Sequence, residues 1–248
     1  MADKWRIIEL QEKDAYLNMG IDNAIMDGVK SGATDPTIRF YTWKPSAVSI
    51  GCFQSMRDEV NTDVCKKNGI DMVRRLTGGG AVYHDKEVTY SIIGSVDLFP
   101  KGIIESYRQI CGYIIYGLSI LGINSTFAPI NDIVVEGKKI SGNAQTRREG
   151  VLLQHGTVIY DFEPEKMFGV LNISKEKISD KMIKSAKDRV TSVLEHSNVS
   201  IGELHLALLR GFCKGRDYYI GTLNAEEERA ALNYSTEKYS SDSWNFSR

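Results

Sequence analysis

Cysteine is scarce and scattered in this chain. The four residues, Cys52, Cys65, Cys111 and Cys213, form no CxxC pair, which argues against a zinc framework and for a reduced, cytoplasmic setting. None at all falls between 112 and 212. Prolines number five and do not group into a hinge, and no low-complexity tract, repeat or Ser-rich linker divides the chain. No apolar run approaches the roughly 20 residues of a membrane span, and the opening residues lack a signal-peptide core, so a membrane role is not expected. Charge of one sign is missing as well. Lys and Arg total 31 against 32 Asp and Glu, and a net charge of -1 gives no general attraction to nucleic acid or anionic lipid. Any anion site must therefore be local.

What is present is ordinary globular material: 248 residues, 42% hydrophobic and 25% charged, enough for a sizeable core. Residues 5–10 read as a strand. Leu17, Ile21, Ile25 and Val29 recur at every fourth position, which marks one face of a helix. Strands are expected at 37–43, 47–50, 70–75 and 87–93, with a helix over 58–68 and a longer one over 103–121 that stops at Gly122. Cys65 and Cys111 fall in these helices and read as small buried hydrophobes. Segments 132–135, 139–143 and 151–160 are strand candidates separated by turn-like Glu136-Gly137 and Arg148-Glu149-Gly150. The last third reads as helical, with capping boxes at Ser200…Glu203 and Asn224…Glu227. The mixture predicts an α/β (α+β) fold with a mixed, largely antiparallel sheet flanked by helices.

The most informative stretch is RRLTGGGAVYHD at 74–85. Three consecutive glycines cost conformational entropy, so inside a compact domain something must approach the backbone closely. Two guanidiniums beside them offer donor forks that suit a carboxylate or phosphate. A flexible turn with surface arginines is the plainer alternative on spacing alone. The loop contains neither GxGxxG nor GxxxxGK[ST], and a strand pattern follows it, which speaks against a doubly wound nucleotide fold. A second stretch, NDIVVEGKKISGNA at 131–144, sets small residues around Lys139. Alternation points Lys139 to one side and Ile140 to the other. A solvated hairpin lysine and a simple Asn131-Asp132 turn are the competing readings.

Together these stretches resemble the lipoate-protein ligase A family. The resemblance rests on RRLTGGGAVYHD (74–85), NDIVVEGKKISGNAQTRR (131–148), QHGT (154–157), KSAKDRVT (184–191) and SWNF (243–246), which keep the family's order over nearly the whole chain. It implies a biotin/lipoate protein ligase catalytic-domain fold and a two-step reaction. Lipoate is activated by ATP to lipoyl-AMP, and the acyl group then passes to a lysine of an acceptor lipoyl domain. The acceptor would be a 2-oxoacid dehydrogenase E2 component, a glycine-cleavage H protein or a similar carrier.

Lys139 matches the essential catalytic lysine of that family. By the same resemblance ATP and lipoyl-AMP would meet Arg75, Gly78, Gly79, Gly80, Ala81, Val82, Tyr83, His84, Asn131, Asp132 and Lys139. The lipoyl chain would meet Arg75, Gly79, Gly142 and His155, Mg²⁺ would sit at Asp132, and Lys184 and Arg189 would lie on a closing loop. A structural His84 bonded to Asp85 is the rival for that residue. The chain would be one catalytic domain, 1–248, without the family's C-terminal accessory domain, which a separate small subunit would supply. Octanoyl and lipoyl transferases share the scaffold and the lysine but work through a cysteine thioester. One group places that cysteine in the region that here reads FAPIN at 127–131, another well after the His155-Gly156 pair. With no cysteine from 112 to 212, the resemblance favours the ATP-dependent ligase over the transferase, and the presence of Lys139, Arg75 and the intact glycine run favours it over a non-catalytic lipoyl-binding scaffold.

Overall fold

The computed structural model describes residues 4–172, 185 and 188–248. From the amino end, β1 (Trp5–Lys13) leads into α1 (Ala15–Ser31). The Asp14 side chain accepts from the Leu17 N–H at the start of α1, and Gly32 at φ 73° ends it in the left-handed region. β2 (Thr37–Trp43) and β3 (Ala47–Ile50) precede two short helices, α2 (Met56–Glu59) and α3 (Thr62–Lys67). The single helix expected over 58–68 is thus two pieces. Val60 leaves the helix in an extended conformation, and the Asn61 side chain caps the second piece on the Val64 N–H.

β4 (Asp71–Arg74), β5 (Val82–His84) and β6 (Glu87–Ser95) then bracket the glycine loop, followed by α4 (Ile103–Ile120). β7 (Thr126–Ala128), β8 (Asp132–Val135), β9 (Lys138–Arg148) and β10 (Val151–Ile159) form the run of hairpins. α5 (Pro164–Val170), α6 (Ile201–Cys213), β11 (Tyr218–Ile220) and α7 (Ala225–Tyr234) follow, and a last short helix, α8 (Asp242–Asn245), ends the order. β11 interrupts a region that reads as helical; three residues are too few to show a period of two.

An eight-stranded sheet runs β11-β1-β2-β6-β10-β9-β8-β7, and a three-stranded sheet runs β4-β3-β5. β1 is parallel to both β2 and β11, whereas every pair from β2 to β7 is antiparallel. This is the expected mixed, largely antiparallel sheet with helices against it.

Alternation along the central strands makes two chemically different faces. Ile38, Phe40, Val88, Tyr90, Ile92 and Leu152 pack with Ile110, Ile114 and Leu118 of α4 and Leu204, Leu208 and Phe212 of α6. Each such buried aliphatic or aromatic side chain contributes about 1.5–3 kcal/mol. The intervening residues, among them Arg39, Tyr41, Thr89 and Ser91, have the opposite parity and point to the α1 side. That side also carries a core of Ile21, Ile25, Tyr41, Ile93 and Ala231, but it admits buried polar groups. α7 is tied to β1 by Arg6, whose two terminal nitrogens donate to Glu227 at 2.7 and 2.6 Å. The same Glu227 accepts from the Asn224 N–H in the expected capping box. Several of the expected site residues lie on this polar, α1-facing side, His155 among them.

Candidate functional site

Arg74 and Arg75 are neighbours in the chain but do different work. Arg74 belongs to β4 and is 1% exposed; its guanidinium donates to the carbonyls of Trp244, Asn245 and Cys52 at 3.0, 2.9 and 3.2 Å. It joins the C-terminal turn to the segment after β3. Arg75 is the centre of the glycine loop. Its Nη2 donates to the carbonyls of Gly78 and Gly80, both at 2.8 Å, and its Nη1 to the carbonyl and hydroxyl of Ser49 at 3.2 and 3.1 Å. Its Nε donates to Thr77 Oγ1 at 3.1 Å. All five N–H groups of a guanidinium are thereby used on the protein. Burial pushes this guanidinium down to about 10, still cationic at neutral pH. Arg75 therefore shapes the loop, and the direct hold on a carboxylate or phosphate expected of it has no free donor in this arrangement.

The loop explains the glycines. Gly79 sits at φ 100°, and a Cβ there would lie 2.9 Å from Arg75 Nη2. With the carbonyls of Gly78 and Gly80 turned to Arg75, the N–H groups of Gly78, Gly79 and Gly80 donate no hydrogen bond among the described residues.

Two buried arms leave Arg75. In one, Ser49 Oγ lies 2.7 Å from His84 Nε2, and His84 Nδ1 lies 2.7 Å from Glu87 Oε1. Thr89 donates to the same Glu87 oxygen at 2.7 Å, Trp43 Nε1 donates to Thr89 at 2.8 Å, and the Trp43 and His84 rings stack 4.0 Å apart. His84 thus bonds Glu87 rather than Asp85, whose carboxylate faces Lys166 at 3.7 Å. In the other arm Thr77 Oγ1 lies 2.7 Å from His155 Nε2, and His155 Nδ1 faces Asp22 Oδ2 at 3.5 Å. Burial holds the His155 imidazole below its ordinary value, partly opposed by Asp22. Burial alone would raise Asp22, but the facing His155 and the Arg39 guanidinium at 2.9 Å keep it below the usual carboxylate value.

A cavity of about 320 Å³ opens against these arms. Of the expected site residues, Arg75, Gly79, Gly80, Ala81, Val82, Tyr83 and His84 line it from the loop and β5. Asn131, Lys139, Gly142 and His155 line it from the hairpins, whereas Gly78 and Asp132 do not. Lys139 Nζ is 2.8 Å from Asp132 Oδ1. Its backbone N–H donates to the Arg189 carbonyl at 2.8 Å and its carbonyl accepts from Thr191 at 2.9 Å, so residues 189–191 run beside the start of β9. The Arg189 side chain is exposed, and Lys184 lies outside the described residues. Asn131 and Asn143 exchange side-chain-to-carbonyl hydrogen bonds, and Asn143 Oδ1 accepts from Tyr90 at 2.7 Å, which fixes this corner.

Sequence reading did not find Ser49, Thr77, Glu87, Asp22 or Trp43 as site residues. The available signals were a serine inside the apolar strand Ala47–Ile50 and an aspartate beside the apolar stripe of α1. No described cysteine lines the cavity. Burial pushes the thiols of Cys65 and Cys213 to about 11 and of Cys111 to about 12, far from the thiolate a nucleophile needs. Among the described residues no group of three or more His, Cys, Asp or Glu could hold a metal ion, and the Asp132 carboxylate is taken by Lys139. These described residues do not build a magnesium site by themselves.

Residues 14–213 match the lipoyl protein ligase A/B catalytic domain. The chain belongs to this family. Octanoyltransferase LipM of Staphylococcus aureus is 35% identical over 99% of this chain and 99% of its own length. In three dimensions the chain is similar to a protein of the Thermoplasma acidophilum lipoylation system, described as a bipartite lipoate protein ligase and its E2 lipoyl domain. The TM-score is 0.90, the identity 32%, and the match covers 99% of this chain and 97% of that one. A lipoate-protein ligase A structure bound with ATP gives a TM-score of 0.84 at 31% identity, covering 99% of each chain.

The ATP-dependent ligase activity expected from the sequence is overturned by this family member's full-length relatives, which are octanoyltransferases. The expectation leaned on the missing cysteine between 112 and 212. That gap removes one nucleophile; it does not remove acyl transfer, because a hydroxyl or the acceptor amine itself can attack an activated acyl group.

Proposed function

We propose that this protein transfers an octanoyl- or lipoyl-type acyl group from an acyl-protein thioester to the lysine amine of a lipoyl domain. The observation that carries the reading is Lys139, held 2.8 Å from Asp132 on the wall of a cavity faced by Gly79 and Gly80, in a chain matched end to end by an octanoyltransferase. The acyl carbon becomes tetrahedral during transfer, and its oxygen gains charge. The Lys139 ammonium and the unpaired N–H groups of the loop are the donors available to that oxygen. One such preorganised donor contributes about 3–4 kcal/mol in a water-poor site. The lipoyl-domain acceptor and the lipoyl acyl group are supported by the Thermoplasma neighbour. That neighbour's bipartite description also supports two further parts of the proposal: one catalytic domain over 1–248 and a separate accessory chain. Among the described residues no helix is long and apolar enough to cross a membrane, and the scattered cysteines support a cytoplasmic setting.

The test is intact-mass measurement of a lipoyl domain incubated with octanoyl-carrier protein and no nucleotide. One octanoyl group should appear with the native chain and almost none with Lys139→Ala. Acylation that requires ATP and the free acid, with none from the thioester, would overturn the reading.

A further inference from the structure

We propose that Glu87 is a positioning residue: through His84 and Ser49 it fixes Arg75, and so aims backbone N–H groups of the glycine loop into the cavity. This rests on the acyl-transfer reading above. It holds for any nucleophile, since the acyl oxygen gains charge whichever group attacks.

The chain of contacts is short and buried. Glu87 Oε1 lies 2.7 Å from His84 Nδ1, His84 Nε2 lies 2.7 Å from Ser49 Oγ, and Arg75 Nη1 donates to the same Oγ at 3.1 Å. The direction of each bond follows from what the groups can do. A guanidinium only donates, so Ser49 Oγ accepts from Arg75 and keeps its own hydrogen for His84 Nε2. A carboxylate only accepts, so Nδ1 carries the imidazole hydrogen and Glu87 selects that tautomer. Thr89 donates to the same carboxylate oxygen at 2.7 Å, and the Trp43 ring stacks 4.0 Å from the imidazole, which holds both groups in place.

At the other end of the relay, Arg75 Nη2 takes the carbonyls of Gly78 and Gly80, both at 2.8 Å. The peptide bonds that follow are trans. In a planar trans peptide the C=O and the next N–H point in opposite directions. Holding the two carbonyls therefore turns the N–H groups of Gly79 and Ala81 away from the guanidinium, at two residues that line the cavity.

The carboxylate itself points beyond packing. Glu87 is 4% exposed and, among the described residues, forms its ion pair with His84 and with no lysine or arginine. Burying a carboxylate without such a partner lowers stability, and an amide or apolar side chain would lower it less. The second arm differs on this point. Asp22 has the Arg39 guanidinium at 2.9 Å and stands 3.5 Å from His155, so its charge is already paired in the core. Only the Glu87 arm sets its carboxylate at hydrogen-bond distance from the imidazole.

The experiment uses the full chain with octanoyl-carrier protein and a lipoyl domain, and the melting temperature of each variant separates lost turnover from lost fold. Glu87→Ala should lower kcat about tenfold to a hundredfold and leave KM within about twofold, because misaimed donors act on the charged state more than on the bound one. Glu87→Gln should recover most of that loss, since its amide oxygen still accepts from Nδ1–H. The Ser49→Ala, Glu87→Ala double variant should be no slower than Ser49→Ala alone, because the relay is then already broken. Asp132→Asn, which acts on Lys139 instead, should multiply with Glu87→Ala. Imidazole nitrogen NMR of the native chain at neutral pH should show His84 with a protonated Nδ1 and an unprotonated Nε2, a reading that needs no variant to fold. Native kcat in Glu87→Ala, a Glu87→Gln variant as slow as Glu87→Ala, full multiplication with Ser49→Ala, or the opposite tautomer of His84 would overturn this assignment alone. Absence of any turnover from the thioester by the native chain would overturn the acyl-transfer reading, and this assignment with it.

Discussion

Gly142 leaves the space that Lys139 occupies. A Cβ at position 142 would lie 2.6 Å from Lys139 Cε and 2.7 Å from Nζ, below any ordinary van der Waals contact. The small residue is there so that the ammonium can lie across the strand into the cavity. Gly142→Ala should therefore displace the ammonium while leaving the fold intact, since the clash is with the end of a flexible side chain. The expected result is a kcat about tenfold to a hundredfold lower with an unchanged melting temperature. Native kcat in this variant would show that the amine needs no such placement.

Asp132, the cross-strand partner of Gly142, holds the same amine at 2.8 Å. The pair is partly exposed, with side-chain accessibilities of 40% for Lys139 and 34% for Asp132, so its loss should cost less than about 1 kcal/mol of stability. Asp132→Asn should instead be visible in turnover, because a freed Lys139 samples other rotamers. A urea titration beside steady-state kinetics separates the two. A large shift of the urea midpoint with native kcat would mean the pair is structural.

Arg74 predicts a different kind of failure. It supplies donors to carbonyls on both the C-terminal turn and the segment after β3, while Asn245 Oδ1 accepts from its backbone N–H at 2.8 Å. Arg74→Met would leave several buried carbonyls without partners. About 3 kcal/mol of stability should be lost, read as a lower urea midpoint with the slope unchanged. An unaffected midpoint would show that water replaces the guanidinium at no cost.

Acid should destabilise the fold in two stages. Burial holds His155 and His205 below the ordinary imidazole value of 6.5, so they stay neutral in the folded chain while the unfolded chain takes up protons. That stability is complete above about pH 6.5 and falls as pH drops below it. Asp22, also held below its ordinary value, adds a second loss in the carboxylate range near 3.8. Melting temperature measured from neutral pH downward should fall first near pH 6. His155→Gln should flatten that first step. A melting temperature independent of pH between about 7 and 5 would contradict the buried neutral imidazoles.

The expected helix face of Leu17, Ile21 and Ile25 became α1, and the turn-separated segments from 132 onward became β8 to β10, because period and turn chemistry are local. The two lysine- and glycine-bearing stretches were also legible, since runs of small residues beside cations stand out from composition. Less visible were β11, whose three residues carry no period, and the break at Val60, which depends on one extended residue. The preference for an ATP-dependent ligase failed for a related reason. It took the absence of cysteine at an expected position as the absence of acyl transfer, whereas relatives matched over the full chain are octanoyltransferases.

By itself the sequence determined most of the elements and which faces are apolar, because those properties belong to neighbouring residues, whereas the meeting of Arg75, Gly79, Gly80 and Lys139 on one cavity was expected only from the family resemblance. Tertiary structure decided what each of them touches. It spent every donor of Arg75 on the loop, and it gave His84 the carboxylate of Glu87 rather than that of Asp85. It also brought Asp22 of α1 against His155 of β10. Hydrogen-bond partners are chosen by distance and burial, and those exist only once the strands and helices have packed.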